Sequence, residues 1–394
     1  MNLIQAQNWF EAQSLEKARS KLKPGSAALH FLWGGGDADR KKAQVLFVSR
    51  NEVLLFPLEN KDLLNSLIAK FMNQVSRPFT TGADADRFYA ISNELYQLLF
   101  PPALQEKLSD YDDLIIIAAN ELGYIPFEAL VVDTKTPTYL FSQYTIGYSP
   151  SMGLLKKDNL GDDLFKSMNF LGIAPVSFEE HDLPLLPYTK EELLEANEVL
   201  GGDVFIDSIA NRSTFFKKAS QSRILHLATH AAADEQPWIA LKDSLVYLND
   251  LYALNLNNEL VVLSACNTAS GQIQKGEGVA SLARGFFYSG SKSVISTRWS
   301  TNDKATQLIL KDFYKILSDG KDKATALQLA RLNYLKNAQL SEASPFYWSS
   351  FALMGDPSAI EFSGLQNNWW WLLAMVPLLL LFLFKKSRHK MGNR

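Results

Sequence analysis

Two residues of this 394-residue chain have the chemistry of a nucleophile and its base, the single cysteine Cys266 and His230. His230 ends one apolar run, Ile224-Leu-His-Leu-Ala-Thr-His230, and Cys266 ends another, Leu260-Val-Val-Leu-Ser-Ala-Cys266. An imidazole within reach of a thiol removes its proton, and nearby backbone N–H groups hold the oxyanion of an attacked carbonyl. The pattern predicts a Cys–His dyad, with the N–H groups of Cys266 and Ala231 as oxyanion donors.

Elements that must position these residues are visible in the same stretches. Short apolar runs that stop abruptly at small or polar residues are typical of buried strands in a parallel sheet. The carboxyl ends of such strands meet at one edge, which is where sites form in open α/β sheets. Strands alternate with helices along the chain, which predicts an α/β fold. An amphipathic helix is predicted over residues 1–23, and a later helix is predicted to begin with Thr189 as its cap and Glu192 in the capping-box position.

The same residues have structural interpretations. A lone cysteine is often simply buried, and a histidine at a strand end can be an ordinary surface residue. The remaining histidines are predicted in a core strand (His30), inside the strand that leads to His230 (His226), in a loop (His181) and in the basic tail (His389). Only His230 combines a strand end with a following loop, so it is the candidate base.

Composition excludes several classes of function. Hydrophobic residues make up 47% of the chain and charged residues 21%, as in globular proteins. The net charge of −3, with no basic block before the last residues, argues against nucleic acid as a partner. One cysteine excludes an internal disulfide, and no cysteine–histidine cluster suits zinc. The glycines of residues 271–278 are not followed by Lys-Ser/Thr, so they predict no phosphate loop. We therefore expect neither a metal nor a cofactor.

The C-terminal residues have the pattern of a membrane anchor. Residues 369–384 are uncharged and begin with three tryptophans, and a basic tail of residues 387–394 follows the span. A helix of sixteen residues covers about 24 Å of a hydrocarbon core of about 30 Å, with tryptophans suited to one interface and lysines to the other. We predict a single transmembrane anchor over residues 367–386. The alternative is a C-terminal helix buried in the fold.

The orientation of this anchor depends on two opposing arguments. By the positive-inside rule the basic tail would face the cytoplasm and the folded body would lie outside. Residues 1–23, however, lack the unbroken apolar core of a signal peptide. A large domain that is complete before the anchor emerges is hard to translocate, so the expected location is the inner membrane with a cytoplasmic body.

Several short blocks in one order resemble a known family. They are the two runs ending in His230 and Cys266-Asn-Thr268, followed by Gly276-Glu-Gly-Val-Ala-Ser-Leu-Ala-Arg-Gly-Phe286, Ser289-Gly-Ser-Lys-Ser-Val-Ile295, Trp299-Ser-Thr-Asn-Asp303, Trp348-Ser-Ser-Phe351 and Gly355-Asp-Pro357. Upstream, Gly123-Tyr-Ile-Pro-Phe-Glu-Ala-Leu130 continues the match. These blocks, over residues 25–363, resemble the CHAT family of caspase-like cysteine peptidases, in the clan of caspases, metacaspases and separase.

The resemblance implies a caspase-like sheet flanked by helices and a Cys–His dyad endopeptidase, with His230 as base and Cys266 as nucleophile. It implies a non-catalytic caspase-like half over residues 24–160 and the catalytic half over residues 161–363. Ala231 departs from the family, in which glycine commonly follows the histidine. The implied role is cleavage of a protein or peptide substrate near the membrane, in bacterial regulation or defence, under a regulatory protein.

Two other functions remain open at this point. A non-catalytic, membrane-tethered scaffold that binds protein partners would have a buried Cys266, or a His230 too distant to bond it. A thiol enzyme that acts on small molecules would need a deep closed pocket instead of an open peptide groove.

Overall fold

The computed structural model describes residues 15–33, 43–118, 120–155, 167–232, 236–264 and 278–362. The strands within these ranges are β1 (Ser26–Trp33), β2 (Ala43–Val48), β3 (Val53–Leu58), β4 (Asp113–Ala118), β5 (Val131–Asp133), β6 (Thr138–Tyr139), β7 (Thr145–Tyr148), β8 (Met168–Ala174), β9 (Gly202–Ile206), β10 (Ser222–Leu227), β11 (Ala231–Ala232), β12 (Trp238–Ala240), β13 (Leu245–Tyr247), β14 (Leu260–Leu263), β15 (Ser293–Thr297) and β16 (Phe351–Gly355). The helices are α1 (Leu15–Ser20), α2 (Lys61–Val75), α3 (Gly82–Leu99), α4 (Pro102–Leu108), α5 (Thr189–Leu200), α6 (Arg212–Lys218), α7 (Leu248–Tyr252), α8 (Gly278–Tyr288), α9 (Asp303–Ser318), α10 (Lys323–Asn337) and α11 (Pro345–Trp348).

The main feature of the described residues is one eleven-stranded mixed sheet, ordered β3-β2-β1-β4-β7-β16-β15-β14-β10-β8-β9. Strands β9, β8, β10, β14 and β15 run parallel to one another. Strand β16 joins β15 in antiparallel register and meets β7 at the pair Met354 and Tyr148. The predicted mixed α/β fold with a large sheet flanked by helices is confirmed, and strands from both halves of the chain belong to this one sheet.

The strands form where the sequence places apolar runs. Strand β14 is buried at every position, and β10 is buried at all but one, as expected for strands covered on both faces. The sequence predicts helical structure over residues 83–108 with an interruption at Pro101-Pro102, and the structure has two helices there, α3 and α4. Pro101 lacks an N–H and restricts the residue before it, so the first helix ends at Leu99 and the second begins at Pro102.

The predicted capping box at the start of α5 is wrong. Thr189 is the first helical residue, and its hydroxyl donates to the carbonyl of Leu186 at 2.7 Å. The Glu192 carboxylate lies inside the protein, with Oε1 2.8 Å from Nε2 of His226. A glutamate three residues into a helix can turn outward to the cap or inward to a buried histidine, and here the inward partner is the one present.

A buried charge cluster joins the two halves of the sheet. The carboxylate of Glu128, fully buried after β4, lies 3.7 Å from Nη1 of Arg298 and 3.5 Å from Nη2 of Arg331. Tyr148 donates its hydroxyl proton to Glu128 at 2.6 Å, and the Arg298 guanidinium stacks on the Tyr148 ring at 4.5 Å. Arg331 also donates to the carbonyl of Phe351 at 2.6 Å. One carboxylate therefore serves two guanidinium groups, which makes its removal costly.

Gly355 ends β16 at a position that only glycine fits. Its φ is +98°, and a Cβ there would lie 2.4 Å from the backbone oxygen of Lys292. We expect Gly355→Ala to lower the free energy of unfolding by about 2–4 kcal/mol, from backbone strain and overpacking. Gly82, the first residue of α3, has no atom within 4 Å of the corresponding Cβ. Gly82→Ala should be neutral or slightly stabilising. Urea unfolding of the full chain measures the stability of both variants. Equal losses of stability in Gly355→Ala and Gly82→Ala would contradict the requirement for glycine at position 355.

The predicted membrane anchor, residues 367–386, and the basic tail lie outside the described residues. In the ranges that the structure does describe, every helix is too short or too polar to cross a bilayer. Residues 1–14 of the predicted N-terminal helix are also outside the description, and the described remainder contains α1.

Candidate active site

The candidate site is formed by the loops that leave the carboxyl ends of the parallel strands. His230 lies three residues beyond β10, and Ser264 directly follows β14. Strands β10 and β14 are neighbours, with Leu227 paired to Leu263. The loop after β8 crosses toward β10, where the carbonyl of Pro184 meets the ring of His230. The sequence therefore brings the predicted base to the predicted edge of the sheet.

Cys266, the predicted nucleophile and oxyanion donor, lies outside the described residues. The nearest described residue before it is Ser264, which is buried and whose N–H points to the carbonyl of Leu227 at 3.4 Å. The chain thus enters the segment that carries Cys266 from the strand beside the one that leads to His230.

The His230 side chain is held by two contacts. Its Nε2 lies 2.8 Å from the carbonyl oxygen of Pro184, and the Phe178 ring packs edge-on at a centroid distance of 4.7 Å. A carbonyl oxygen only accepts hydrogen bonds, so Nε2 carries the proton and Nδ1 holds the lone pair. Nδ1 is buried and has no hydrogen-bond partner among the described residues. The ring is thus fixed in the tautomer in which Nδ1 is the basic atom.

Burial sets the charge of this imidazole. Burial lowers the pKa of His230 below its usual value near 6.5, against the opposing effects of the Pro184 carbonyl and the Asp303 charge, which raise it. The lowered pKa means that the ring is neutral at neutral pH, with Nδ1 able to accept a proton. Protonation requires acid below pH 6.5, so base function should be lost on the acid side only.

Ala231 has the backbone geometry of an available donor. The N–H of Ala240 donates to the carbonyl of His230 at 2.9 Å, which makes His230 and Ala240 the hydrogen-bonded pair of the β11–β12 ladder. Ala231 and Ile239 are then the non-hydrogen-bonded pair, and the N–H of Ala231 points away from β12. Ala231 is in extended conformation, so the change from the family's glycine needs no left-handed backbone here.

A second group of buried titratable side chains lies behind His230, between β10, α5 and α9. His226 is fully buried; its Nδ1 is 2.9 Å from the hydroxyl of Tyr314, and its Nε2 faces Glu192 at 2.8 Å with angles outside those of a hydrogen bond. Burial and the Glu192 charge raise the pKa of Asp303, against the charge of His230. These contacts make His226 a packed residue that is bonded to a neighbour.

Sequence reasoning missed the residues that orient the base. Pro184 acts through its backbone carbonyl, and Phe178 through the edge of its ring, so neither has a motif of its own. Phe178 and Pro184 both follow β8, so they lie at the same edge of the sheet as His230. This shared edge was the one feature of the sequence that could have pointed to them. Asp303 is the first residue of α9, and Asn302 before it caps that helix by accepting from the N–H of Ala305.

The described residues contain no cluster of histidine, cysteine or carboxylate side chains arranged to hold a metal ion.

The CHAT domain family matches residues 90–356, so the chain belongs to the CHAT family. In the crystal structure of the Saccharomyces cerevisiae separase–securin complex, a chain shares the fold with a TM-score of 0.55 and 10% identity; the match covers 88% of this chain and 31% of that one.

Curated relatives share sequence over part of their length. Tetratricopeptide repeat protein 28 of Mus musculus is 23% identical in a match over 324 residues, and the match covers 66% of this chain and 13% of the relative. The same protein of Homo sapiens matches with the same identity and coverage. This chain therefore spans about an eighth of the length of these relatives.

Proposed function

We propose that this chain is a cysteine endopeptidase in which His230 and Cys266 form the catalytic dyad. The observation that carries the proposal is the state of His230: Nε2 is committed to the Pro184 carbonyl, and Nδ1 is a buried, basic lone pair without a partner among the described residues. Membership of the CHAT family supports the identity of the nucleophile.

The reaction follows from these groups. Nδ1 of His230 takes the proton of the Cys266 thiol, and the thiolate attacks a peptide carbonyl. The N–H groups of Ala231 and Cys266 hold the oxyanion while the C–N bond breaks, and His230 gives its proton to the leaving amine. Water then attacks the thioester with His230 as base, which releases the carboxylic acid and restores the thiol.

The wider role is part of the same proposal. Residues 24–160 would be the non-catalytic caspase-like half and residues 161–363 the catalytic half, tethered to the inner membrane by residues 367–386 with the body in the cytoplasm. The substrate would be a protein near the membrane, cleaved in bacterial regulation or defence. A chain of similar fold is found in complex with securin, which supports a regulatory protein as a further partner.

The second candidate is a non-catalytic scaffold that binds protein partners. The burial of His230, with only 2% of its surface exposed, favours it, because a substrate must reach the base. The two candidates differ in the reactivity of Cys266, which a labelling experiment measures without knowledge of the substrate.

The test is the rate of iodoacetamide alkylation of the full-length chain against pH, beside His230→Ala. Cys266 is the only cysteine, so labelling reports one site. We expect a midpoint well below about 8.5, because the imidazolium that forms when His230 takes the thiol proton stabilises the thiolate. In His230→Ala the midpoint should return toward about 8.5. Slow labelling with the same profile in both proteins would reject the dyad and leave the scaffold.

A further inference from the structure

The loop that orients His230 also presents apolar side chains to solvent. We call residues 183–188 the proline loop. Its sequence is Leu-Pro-Leu-Leu-Pro-Tyr, which contains no charged residue. Leu185 is 64% exposed and Tyr188 45% exposed. The peptide group that joins Pro184 to Leu185 is itself the acceptor of the His230 hydrogen bond. An exposed leucine is therefore one bond away from the group that holds the base.

We propose, on the basis of the proposed peptidase activity, that the proline loop is the wall of a substrate subsite. It selects a peptide with an aliphatic or aromatic side chain close to the scissile bond, and Leu185 and Tyr188 are its specificity-determining residues.

The loop is anchored in a way that fixes Leu185 outward. Leu186 is buried against Phe178 and Ala240, and its N–H donates to the carbonyl of Val176 at 3.0 Å. Its own carbonyl accepts from the hydroxyl of Thr189 at 2.7 Å. With the neighbours of Leu185 held on both sides, its exposure is a property of the folded loop.

Backbone strain marks the segment that leads from β8 into the proline loop. Val176, where the chain leaves β8, has φ +58°. A β-branched residue in the left-handed region is a genuine outlier, and such residues cluster at ligand clamps and active sites. The Nζ of Lys242 donates to the carbonyl of Ser177 at 3.0 Å and holds the strained turn in place.

The position of the base determines what the loop contacts. His230 must reach both the thiol and the leaving amine, so the scissile bond must lie against its ring. An extended peptide advances about 3.3 Å per residue, so side chains within two residues of that bond pass the proline loop. A loop without charge offers no ion pair to a charged side chain, and it removes apolar surface from water when an apolar side chain binds.

The test is cleavage-site profiling of a proteome-derived peptide library by the full-length chain. We expect leucine, isoleucine, methionine and phenylalanine to be enriched within two residues of the cleaved bond. Leu185→Asp should lower that enrichment by about tenfold or more, and Leu185→Met should retain it. The matched control is Leu55→Asp, on a leucine 51% exposed in β3 at the far side of the sheet. A profile without apolar enrichment, or one unchanged by Leu185→Asp, would overturn the inference.

A failure of the peptidase proposal is separable from a failure of this one. If Cys266 labels slowly and no peptide is cleaved, the same library is captured on immobilised Cys266→Ala chain and the bound peptides are sequenced. Apolar enrichment that Leu185→Asp abolishes supports the subsite in a protein that does not cleave. The subsite is refuted if capture does not depend on the apolar content of the peptides. It is also refuted if the Cys266→Ala chain captures the same peptides with and without Leu185→Asp.

Discussion

Replacement of Glu128 by alanine is expected to destabilise the folded protein by about 3–5 kcal/mol, because it leaves two buried guanidinium groups without their carboxylate. Arg298 and Arg331 lie 3.7 Å and 3.5 Å from Glu128, and the Tyr148 hydroxyl loses its acceptor as well. The remaining acceptors of the two arginines are backbone carbonyls, which carry no net charge. The substitution therefore increases the excess of buried positive charge, in addition to leaving a cavity.

The measurement is urea unfolding of the full-length chain, followed by circular dichroism. Glu106→Ala is the matched control, since Glu106 is exposed on α4 and its change should stay within about 0.5 kcal/mol of wild type. Glu128→Gln keeps the shape and an acceptor for Tyr148 but removes the charge, so it should fall between the two. A loss below about 1 kcal/mol for Glu128→Ala would mean that the guanidinium groups find other partners.

Replacement of His230 by alanine is expected to lower the rate of peptide cleavage by about 10²–10⁴-fold, the range of general acid–base catalysis. Nε2 is already committed to Pro184, so the loss is that of Nδ1 as proton acceptor and then donor. The effect should fall on kcat, because a proton moves only during the reaction.

His181→Ala is the matched control for this second prediction. His181 lies in the loop after β8, and its Nε2 is 3.0 Å from the carbonyl of Leu241. Like His230, it therefore bonds a backbone carbonyl, but it does not lie at the end of β10. The cleavage rate of His181→Ala should stay close to that of wild type. The rate is measured by mass spectrometry, in preparations in which Cys266 labels rapidly. If His230→Ala retained more than about a tenth of the rate, another group would be the base.

The sequence was most informative where burial alone decides the structure. The runs ending in His230 and Cys266 predicted buried strands of one parallel sheet, and the structure makes them β10 and β14, which pair in parallel. Local signals failed where a side chain had a choice of partners. Glu192 fits a capping box, yet its carboxylate faces His226, because a tertiary contact absent from any local window competes with the cap.

The candidate site was predicted only in part for a related reason. His230 was identifiable because an imidazole at a strand end has few other uses. The hydrogen-bond partner of His230 is the backbone carbonyl of Pro184. Every residue has such a carbonyl, so the residue type at position 184 could not predict this contact. Leu185 and Tyr188 belonged to a loop whose apolar composition resembles core sequence, and only the fold shows that they are exposed.

The continuous sheet also determines what a break in the backbone would do. Strand β16, late in the chain, lies between β7 and β15, and the buried Glu128 holds Arg298 and Arg331 across the same junction. Gln328 donates to the carbonyl of Phe141 at 2.7 Å and adds a further link. A protease that nicked the connection between β7 and β8 would release no fragment. The two pieces would remain one particle, and such maturation would be visible only under denaturing conditions.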